Sequence, residues 1–332
     1  GEVFGSTAGE RHEVTLDWGV ETAPNPRDEP GTYTRHVHVL EGVAAGAVVQ
    51  WRLRVDGGDV TGSLRAPPAT GEPVVVGWIA DTMYPNAEAS MATLLAQGPE
   101  LVLHGGDIQY SSNPADTWQG FFEHMQGLHR SALFHAVVGN HEFDIDVEMA
   151  EMFEPLFGLQ GGGATRYHRV DYGPFGFVCL DSETDGLDDA QLAWADGALA
   201  AIVDAGRVPV ICLHRPTWTL SKHWPSSTTA RDALHQLATD HGVPLVLAGH
   251  VHGYERFEVD GVQYVVDGGG GSLLYDLDES ADEAEAARPG EGAHRVVASQ
   301  TFGVTVLEHD GQGFTLRRVD VDGAETDRVR FA

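Results

Sequence analysis

Lysine is nearly absent: Lys222 is the only one, and every other cation in the chain is arginine. Cations are few altogether, 20 Lys and Arg against 50 Asp and Glu, which sets the formal net charge at −30. Nucleic-acid backbone binding needs a basic footprint and membrane-surface binding a polybasic one, so neither is the main task of this chain. Cysteine is scarce as well. Cys179 and Cys212 cannot make a disulfide framework, and each lies in an apolar run (FGFVCLD, VPVICLH) that reads as a buried free thiol. No apolar run nears the ~20 residues that a membrane-spanning helix requires. None of Asn25, Asn86, Asn113 and Asn140 begins an Asn-x-Ser/Thr sequon, which excludes N-glycosylation. No charged-then-apolar leader opens the sequence, and any signal peptide is expected to have been removed or never to have existed.

What is present builds a core. The 332 residues are 42% apolar and 8% aromatic, enough for roughly two domains. The first 65 or so read as β-structure only: HEVTLDWGV, TRHVHVLEGV and AVVQWRLRVDG alternate apolar and polar residues between Gly-, Pro- and Asp-rich turns. APPATGEP at 66–73 reads as a linker. From Val74 the runs VVVGWIA, LVLHG, ALFHAVVG, FGFVCLD, VPVICLH and PLVLAG are continuously apolar, the mark of strands buried on both faces. NAEASMATLLAQG, ADTWQGFFEHMQGL, DDAQLAWADGALAAIV and ARDALHQLATDHG lie between them with helical spacing. The alternation predicts an α/β domain with a largely parallel sheet. After about residue 255 the text returns to β, interrupted by an acidic stretch, Asp276 to Glu291, that reads as a solvated insertion.

Ligands of open α/β sheets bind beyond the carboxyl ends of the strands. Those ends carry Asp81, Asp107, Asn140 with His141, His214, and His250 with His252. Asp181, the last residue of FGFVCLD, reads as structural. Carboxylates, an amide and imidazoles without a thiolate form a ligand set for Zn, Fe or Mn rather than for Ca or a structural zinc. With Tyr110 added they exceed the needs of one ion. Two ions sharing a carboxylate use them all, and a two-metal pair is a device for in-line displacement at phosphorus.

The blocks GDIQY (106–110), GNHE (139–142), ICLH (211–214) and GHVHGYER (249–256), in that order after Asp81, resemble those of the calcineurin-like metallophosphoesterases and, more narrowly, of the purple acid phosphatases. The resemblance covers residues 74–320. It implies a metallophosphoesterase β-sandwich flanked by helices over 74–332, preceded by an abbreviated fibronectin-III-like β-domain over 1–68. It implies Fe(III) on Asp81, Asp107, Tyr110 and His252, and a divalent ion (Zn, Fe or Mn) on Asp107, Asn140, His214 and His250. His141 would sit beside the substrate phosphate, and His223 falls where the family places a second substrate histidine.

The activity implied is hydrolysis of small phosphate monoesters by a metal-bound hydroxide, in a secreted or periplasmic protein. A phosphodiesterase or nucleotide pyrophosphatase on the same scaffold is the alternative, and a metal-stabilised binding or adhesion module is a third reading. The sequence departs from the family pattern at Thr82 and Met83, where a Gly usually follows Asp81 by two residues, and at Trp224, where plant members carry a second histidine. The surface charge would repel an anionic ester, but two such cations outweigh Asp81, Asp107 and an ionised Tyr110, so the centre itself is positive.

Overall fold

The computed structural model describes residues 2–7, 10–15, 20–24, 32–36, 40, 42–55, 58–108, 110, 114–142, 153, 157, 166–183, 187–221, 223, 228–277 and 294–332. Up to residue 36, and at 54–55, 114–119 and 228–230, the description is of the backbone alone. Trp224 and most of the acidic stretch 276–291 lie outside these residues.

The leading segment is all-β, as the alternation predicts. Strands β1 (Glu2–Thr7), β2 (Glu10–Thr15), β5 (Val48–Val55) and β6 (Gly58–Arg65) form one antiparallel sheet in the order β2-β1-β5-β6. Strands β3 (Val20–Pro24) and β4 (Thr32–His36) pair separately. The stretch after it is held rather than loose. Arg65 bonds both oxygens of Glu100, one oxygen of Glu72 and the carbonyl of Pro73, while Ser63 donates its N–H to the Arg130 carbonyl.

Two mixed sheets follow. The first contains β7 (Val74–Ile79), β8 (Leu101–His104), β9 (Leu133–Ala136), β17 (Gly303–His309), β18 (Phe314–Asp320) and β19 (Glu325–Phe331), ordered β19-β18-β17-β7-β8-β9. The second contains β10 (His168–Tyr172), β11 (Phe175–Cys179), β12 (Val208–Leu213), β13 (Leu245–Ala248), β14 (Tyr254–Val259), β15 (Val262–Asp267) and β16 (Arg295–Ser299), ordered β10-β11-β12-β13-β15-β14-β16. The strand–helix alternation suggests one largely parallel sheet; the protein has two, the β-sandwich that the family resemblance implies. The first is parallel only over β7-β8-β9 at one edge and antiparallel over the rest, and the second is parallel over β11-β12-β13-β15 between antiparallel flanks. Pairs such as β17 with β18 and β14 with β15 are short hairpins, and a hairpin can only return antiparallel.

The apolar runs are continuous because both strand faces are covered. Val74, Val76 and Trp78 of β7 point between the sheets, where they meet Phe177, Cys179, Cys212 and Leu247 from the opposite sheet. Val75 and Ile79 point outward with Val304 and Val306 against α1 (Ala87–Ala96) and α2 (Pro114–His129). The other outer face, Val178, Ile211 and Val246 among others, packs on α3 (Asp189–Asp204) and α4 (Thr228–Asp240). The result is a β-sandwich between two helical layers, with both cysteines buried in its centre as free thiols.

The last strand is clamped by a buried ion pair. Asp327 accepts from Arg256 Nε at 2.6 Å and Nη2 at 3.0 Å, and from the Tyr254 hydroxyl at 2.7 Å. Asp327→Ala would leave a buried guanidinium that, among the described residues, keeps a hydrogen bond to Gln263 and the more distant charge of Glu258. A loss of about 3 kcal/mol is expected in chemical denaturation; a loss below about 1 kcal/mol would show that the clamp contributes little.

Candidate metal centre

The candidate ligands converge because strand ends from both sheets meet at one edge of the sandwich. Asp81 follows β7, Asp107 follows β8, Asn140 and His141 open a 3-10 turn after β9, His214 follows β12, and His250 and His252 follow β13. The loops after β7 and β8 are sewn together by Asp81 N–H to Gly106 O and Thr82 N–H to Asp107 O. His104 Nδ1 accepts the Gly106 N–H, so its Nε2–H donates to Thr82 Oγ1, which in turn donates to the Ile108 carbonyl. Burial lowers His104 to about 3, keeping the ring neutral for this role. Thr82, a departure from the family pattern, is therefore a cross-link between two ligand loops.

Asp81, Asp107 and His250 have positive φ of 59°, 52° and 68°. Backbone held in this region by non-glycine residues stores strain and clusters at functional sites. Glycines on the neighbouring loops permit close approach to Asp81: a Cβ on Gly249 or Gly268 would lie 2.7 or 2.6 Å from its Oδ2. The His250 N–H donates to that same oxygen at 2.8 Å.

Asp107, His214 and His250 are all buried, and one donor atom from each lies within 4.8 Å of the others. His214 Nδ1 is turned to the Gly105 carbonyl at 2.7 Å, so Nε2 faces Asn140 Oδ1 at 3.1 Å and Asp107 Oδ1 at 3.3 Å. Fixing one ring nitrogen on a carbonyl is how a ligating histidine is oriented. His252 follows the same rule: Nδ1 meets the Leu273 carbonyl at 2.8 Å, and Nε2 faces the Tyr110 hydroxyl at 2.8 Å. That hydroxyl also lies 2.9 Å from Asp81 Oδ1 and 3.1 Å from Asp107 Oδ2. A phenol has one proton, and it cannot serve three acceptors.

The electrostatics describe a site prepared for positive charge. Burial alone would raise the Asp107 carboxyl, but His214, by charge and hydrogen bond, and then His141 hold it well below the ordinary carboxylate range. Burial would lower His214, yet Asp107, Asp81 and Glu183 lift it to about 10. His250 is pushed the other way, to about 2, by burial, His214 and Arg215. Burial, Asp107 and Asp81 raise the Tyr110 phenol well above its usual value. A proton on His214 and a proton on Tyr110 thus stand in for cations. Two acceptors converge on the first and three on the second, and this donor set of carboxylates, imidazoles, amide and phenol fits metal ions, one Asp107 oxygen facing each group.

His141 stands beside this cluster. Its N–H donates to Asp107 Oδ1 at 2.8 Å, Nε2 lies 3.8 Å from Asp107 Oδ2, and its ring packs 4.1 Å from Tyr110. Asp181 stays outside the cluster: its side chain accepts the Glu183 N–H and pairs with Arg166. His223 is exposed on the rim, its ring 4.8 Å from Tyr275, which stacks on His252 at 4.0 Å.

Sequence reasoning gave no role to Glu142, the last residue of GNHE. It is fully buried and accepts the N–H groups of Asp107, Ile108 and Gly139 at 2.8–3.0 Å, fixing two ligand loops at once. Burial and the neighbouring Asp107 raise its carboxyl. Arg215 was also unassigned; it pairs with Glu183 at 2.7 Å and reaches His250 Nε2 at 3.3 Å.

A family model described as calcineurin-like phosphoesterase matches residues 75–254, more than half of the chain. From Arabidopsis thaliana, probable inactive purple acid phosphatase 9 is 26% identical over 195 residues, covering 48% of this chain and 30% of that protein. Purple acid phosphatase 15 of the same plant is 25% identical over 239 residues, covering 60% and 45%. The chain thus spans less than half the length of either relative. Among solved structures, purple acid phosphatase PPD1 from yellow lupin (Lupinus luteus) seeds superposes with a TM-score of 0.80 over 99% of this chain and 68% of that one, at 17% identity. At that identity the likeness concerns the fold. The family model spans the strands whose ends carry Asp81, Asp107, Asn140, His214, His250 and His252, and the chain belongs to the calcineurin-like phosphoesterase family, where its relatives include purple acid phosphatases.

Proposed function

We propose that the chain is a hydrolase of the purple acid phosphatase type, cleaving phosphate monoesters of small molecules at a dinuclear centre. The observation that carries this reading is the Tyr110 hydroxyl, whose single proton faces Asp81, Asp107 and His252 at 2.8–3.1 Å. Asp81, Asp107, Tyr110 and His252 would hold Fe(III); Asp107, Asn140, His214 and His250 would hold the divalent ion, Zn, Fe or Mn. When bound, the two ions would act as Lewis acids toward the phosphoryl group and make water a competent nucleophile.

The chain's own groups do the rest. His141, tied by its backbone to Asp107 and packed on Tyr110, would donate a hydrogen bond to a non-bridging phosphoryl oxygen and help to hold the phosphate in line. His223, on the rim, would give its proton to the departing alkoxide. Glu142 would keep Asp107 and the Gly139 turn in register through its three N–H bonds. The β-structure ahead of residue 68 is read as a separate, abbreviated fibronectin-III-like domain docked on the catalytic one.

The test is metal analysis of the purified protein with a visible spectrum, joined to matched aryl monoester and diester assays. Iron with a broad band in the green and faster turnover of the monoester is the expected outcome. Two zinc or manganese ions with no colour would remove Tyr110 as an iron ligand. Faster turnover of the diester would favour the phosphodiesterase alternative, and no hydrolysis of either by the metal-loaded protein would end the enzyme reading.

A further inference from the structure

The segment that carries His223 is anchored from below. Glu255, fully buried, accepts the Thr219 hydroxyl at 2.5 Å and the Leu220 N–H at 3.1 Å, and pairs with Arg295 at 3.3 Å. Ser221 donates its N–H to Thr219 Oγ1 and forms a β-bridge with Leu277, while the His223 N–H reaches Ser221 Oγ. These bonds fix the backbone but leave the exposed imidazole of His223 to be placed by something else.

Tyr275 is in position to place it. Its N–H donates to the His252 carbonyl at 2.8 Å, and its carbonyl accepts from Gln300. Its ring stacks on the His252 ring at 4.0 Å with 20° between planes, and it also meets the His223 ring at 4.8 Å and 40°. His252 is itself tied to the Leu273 carbonyl two residues before Tyr275. One aromatic side chain thus touches both a candidate ligand deep in the centre and the candidate proton donor on the rim.

We propose that Tyr275 is a positioning residue that holds His223 over the metal centre for proton delivery to the leaving group. The inference rests on the phosphoester-hydrolase reading above and adds to it the device that sets the reach of His223. A general acid acts only within hydrogen-bond distance of the atom it protonates. A displacement of about 1 Å from the productive position can cost up to ~10²-fold. Removing the ring leaves the backbone bond from Tyr275 to His252 but takes away the surface against which His223 rests.

The test compares the protein as purified with Tyr275→Phe, Tyr275→Ala, His223→Ala and the double variant, with metal content measured for each. Tyr275→Ala is expected to lower kcat on an alkyl phosphate by about tenfold and to leave an aryl phosphate, whose leaving group hardly needs a proton, within about twofold. Tyr275→Phe keeps the ring and should match the parent. In the His223→Ala background, Tyr275→Ala should add no further loss.

A second readout is independent of activity. In the metal-free protein the His223 ring proton resonances should shift when Tyr275 becomes Ala, since the aromatic ring current is gone, and should stay near their parent positions in Tyr275→Phe. Losses that multiply in the double variant, reduced metal content in Tyr275→Ala, or His223 resonances that do not move would each overturn the positioning role. Equal losses on both esters in His223→Ala would instead overturn the reading of His223 as proton donor, and the role of Tyr275 with it.

Discussion

Asp107→Asn is expected to lower hydrolysis of an aryl phosphate by about 10³-fold or more while the protein remains folded. The amide is nearly isosteric, and an oxygen at the Oδ1 position still accepts the His141 N–H that now binds there at 2.8 Å. What disappears is the charge and one acceptor. Oδ1 faces His214 at 3.3 Å, and Oδ2 faces Tyr110 at 3.1 Å, so the two oxygens address the two halves of the centre separately. An amide NH2 in the second place would donate where a cation or the phenolic proton belongs. Metal content should fall from two ions per chain to one or fewer, read by elemental analysis after the same purification, with circular dichroism checking the fold. Full metal occupancy together with activity within about tenfold of the parent would remove Asp107 as the shared ligand.

The legibility of this site follows from the sheet architecture. A strand buried on both faces is a continuous apolar word, and the polar residue that ends it stands out. For that reason Asp81, Asp107, Asn140, His214, His250 and His252 could be picked from the text, and the structure brings them to one edge. The described strands from Val74 to Ala248 and the four described helices were readable within a few residues, apart from β10. The division into two sheets came from the family resemblance, which implies a β-sandwich, and not from strand texture: an antiparallel strand such as β17 (GVTVLEH) is nearly as apolar as a parallel one, and only pairing separates them.

Other features escaped for a different reason. Glu142 and Glu255 lie in recognisable blocks, but a buried carboxylate and a solvated one are the same letter. Their roles depend on backbone N–H groups that the sequence does not spell. Tyr275 lies on the loop after β15, where Ser272 N–H bonds the Asp81 carbonyl, and nothing local marks it as a neighbour of His223.

Affinity for a divalent ion should climb by about tenfold per pH unit from near pH 6.5 toward pH 10, because a proton must leave for the ion to enter. In the metal-free protein His214 is raised from 6.5 to about 10, overcoming burial through the charge and hydrogen bond of Asp107 and the charges of Asp81 and Glu183. At neutral pH it is therefore an imidazolium, and its Nε2 proton occupies the place where Asn140 Oδ1 and Asp107 Oδ1 converge. Asp107 contributes nothing to this slope, being held below the usual carboxylate range and already ionised.

The same shift fixes the sign of stability against pH. A histidine whose folded value is raised stabilises the metal-free fold fully below pH 6.5, and that contribution is lost as pH rises through about 10. With an ion bound, His214 is neutral in the folded state, so protonation favours the unfolded chain and stability falls as pH drops below about 6.5. The melting temperature of the metal-free protein should therefore fall as pH rises above 6.5, whereas that of the metal-loaded protein should fall as pH drops below 6.5. Chelator-buffered titrations at pH 6.5, 7.5 and 8.5 measure the affinity slope, and melts carried from about pH 5 to about pH 9 measure both stability slopes. An affinity that stays flat over that range would mean that His214 is already neutral in the metal-free protein, and that a proton does not hold the place of the cation.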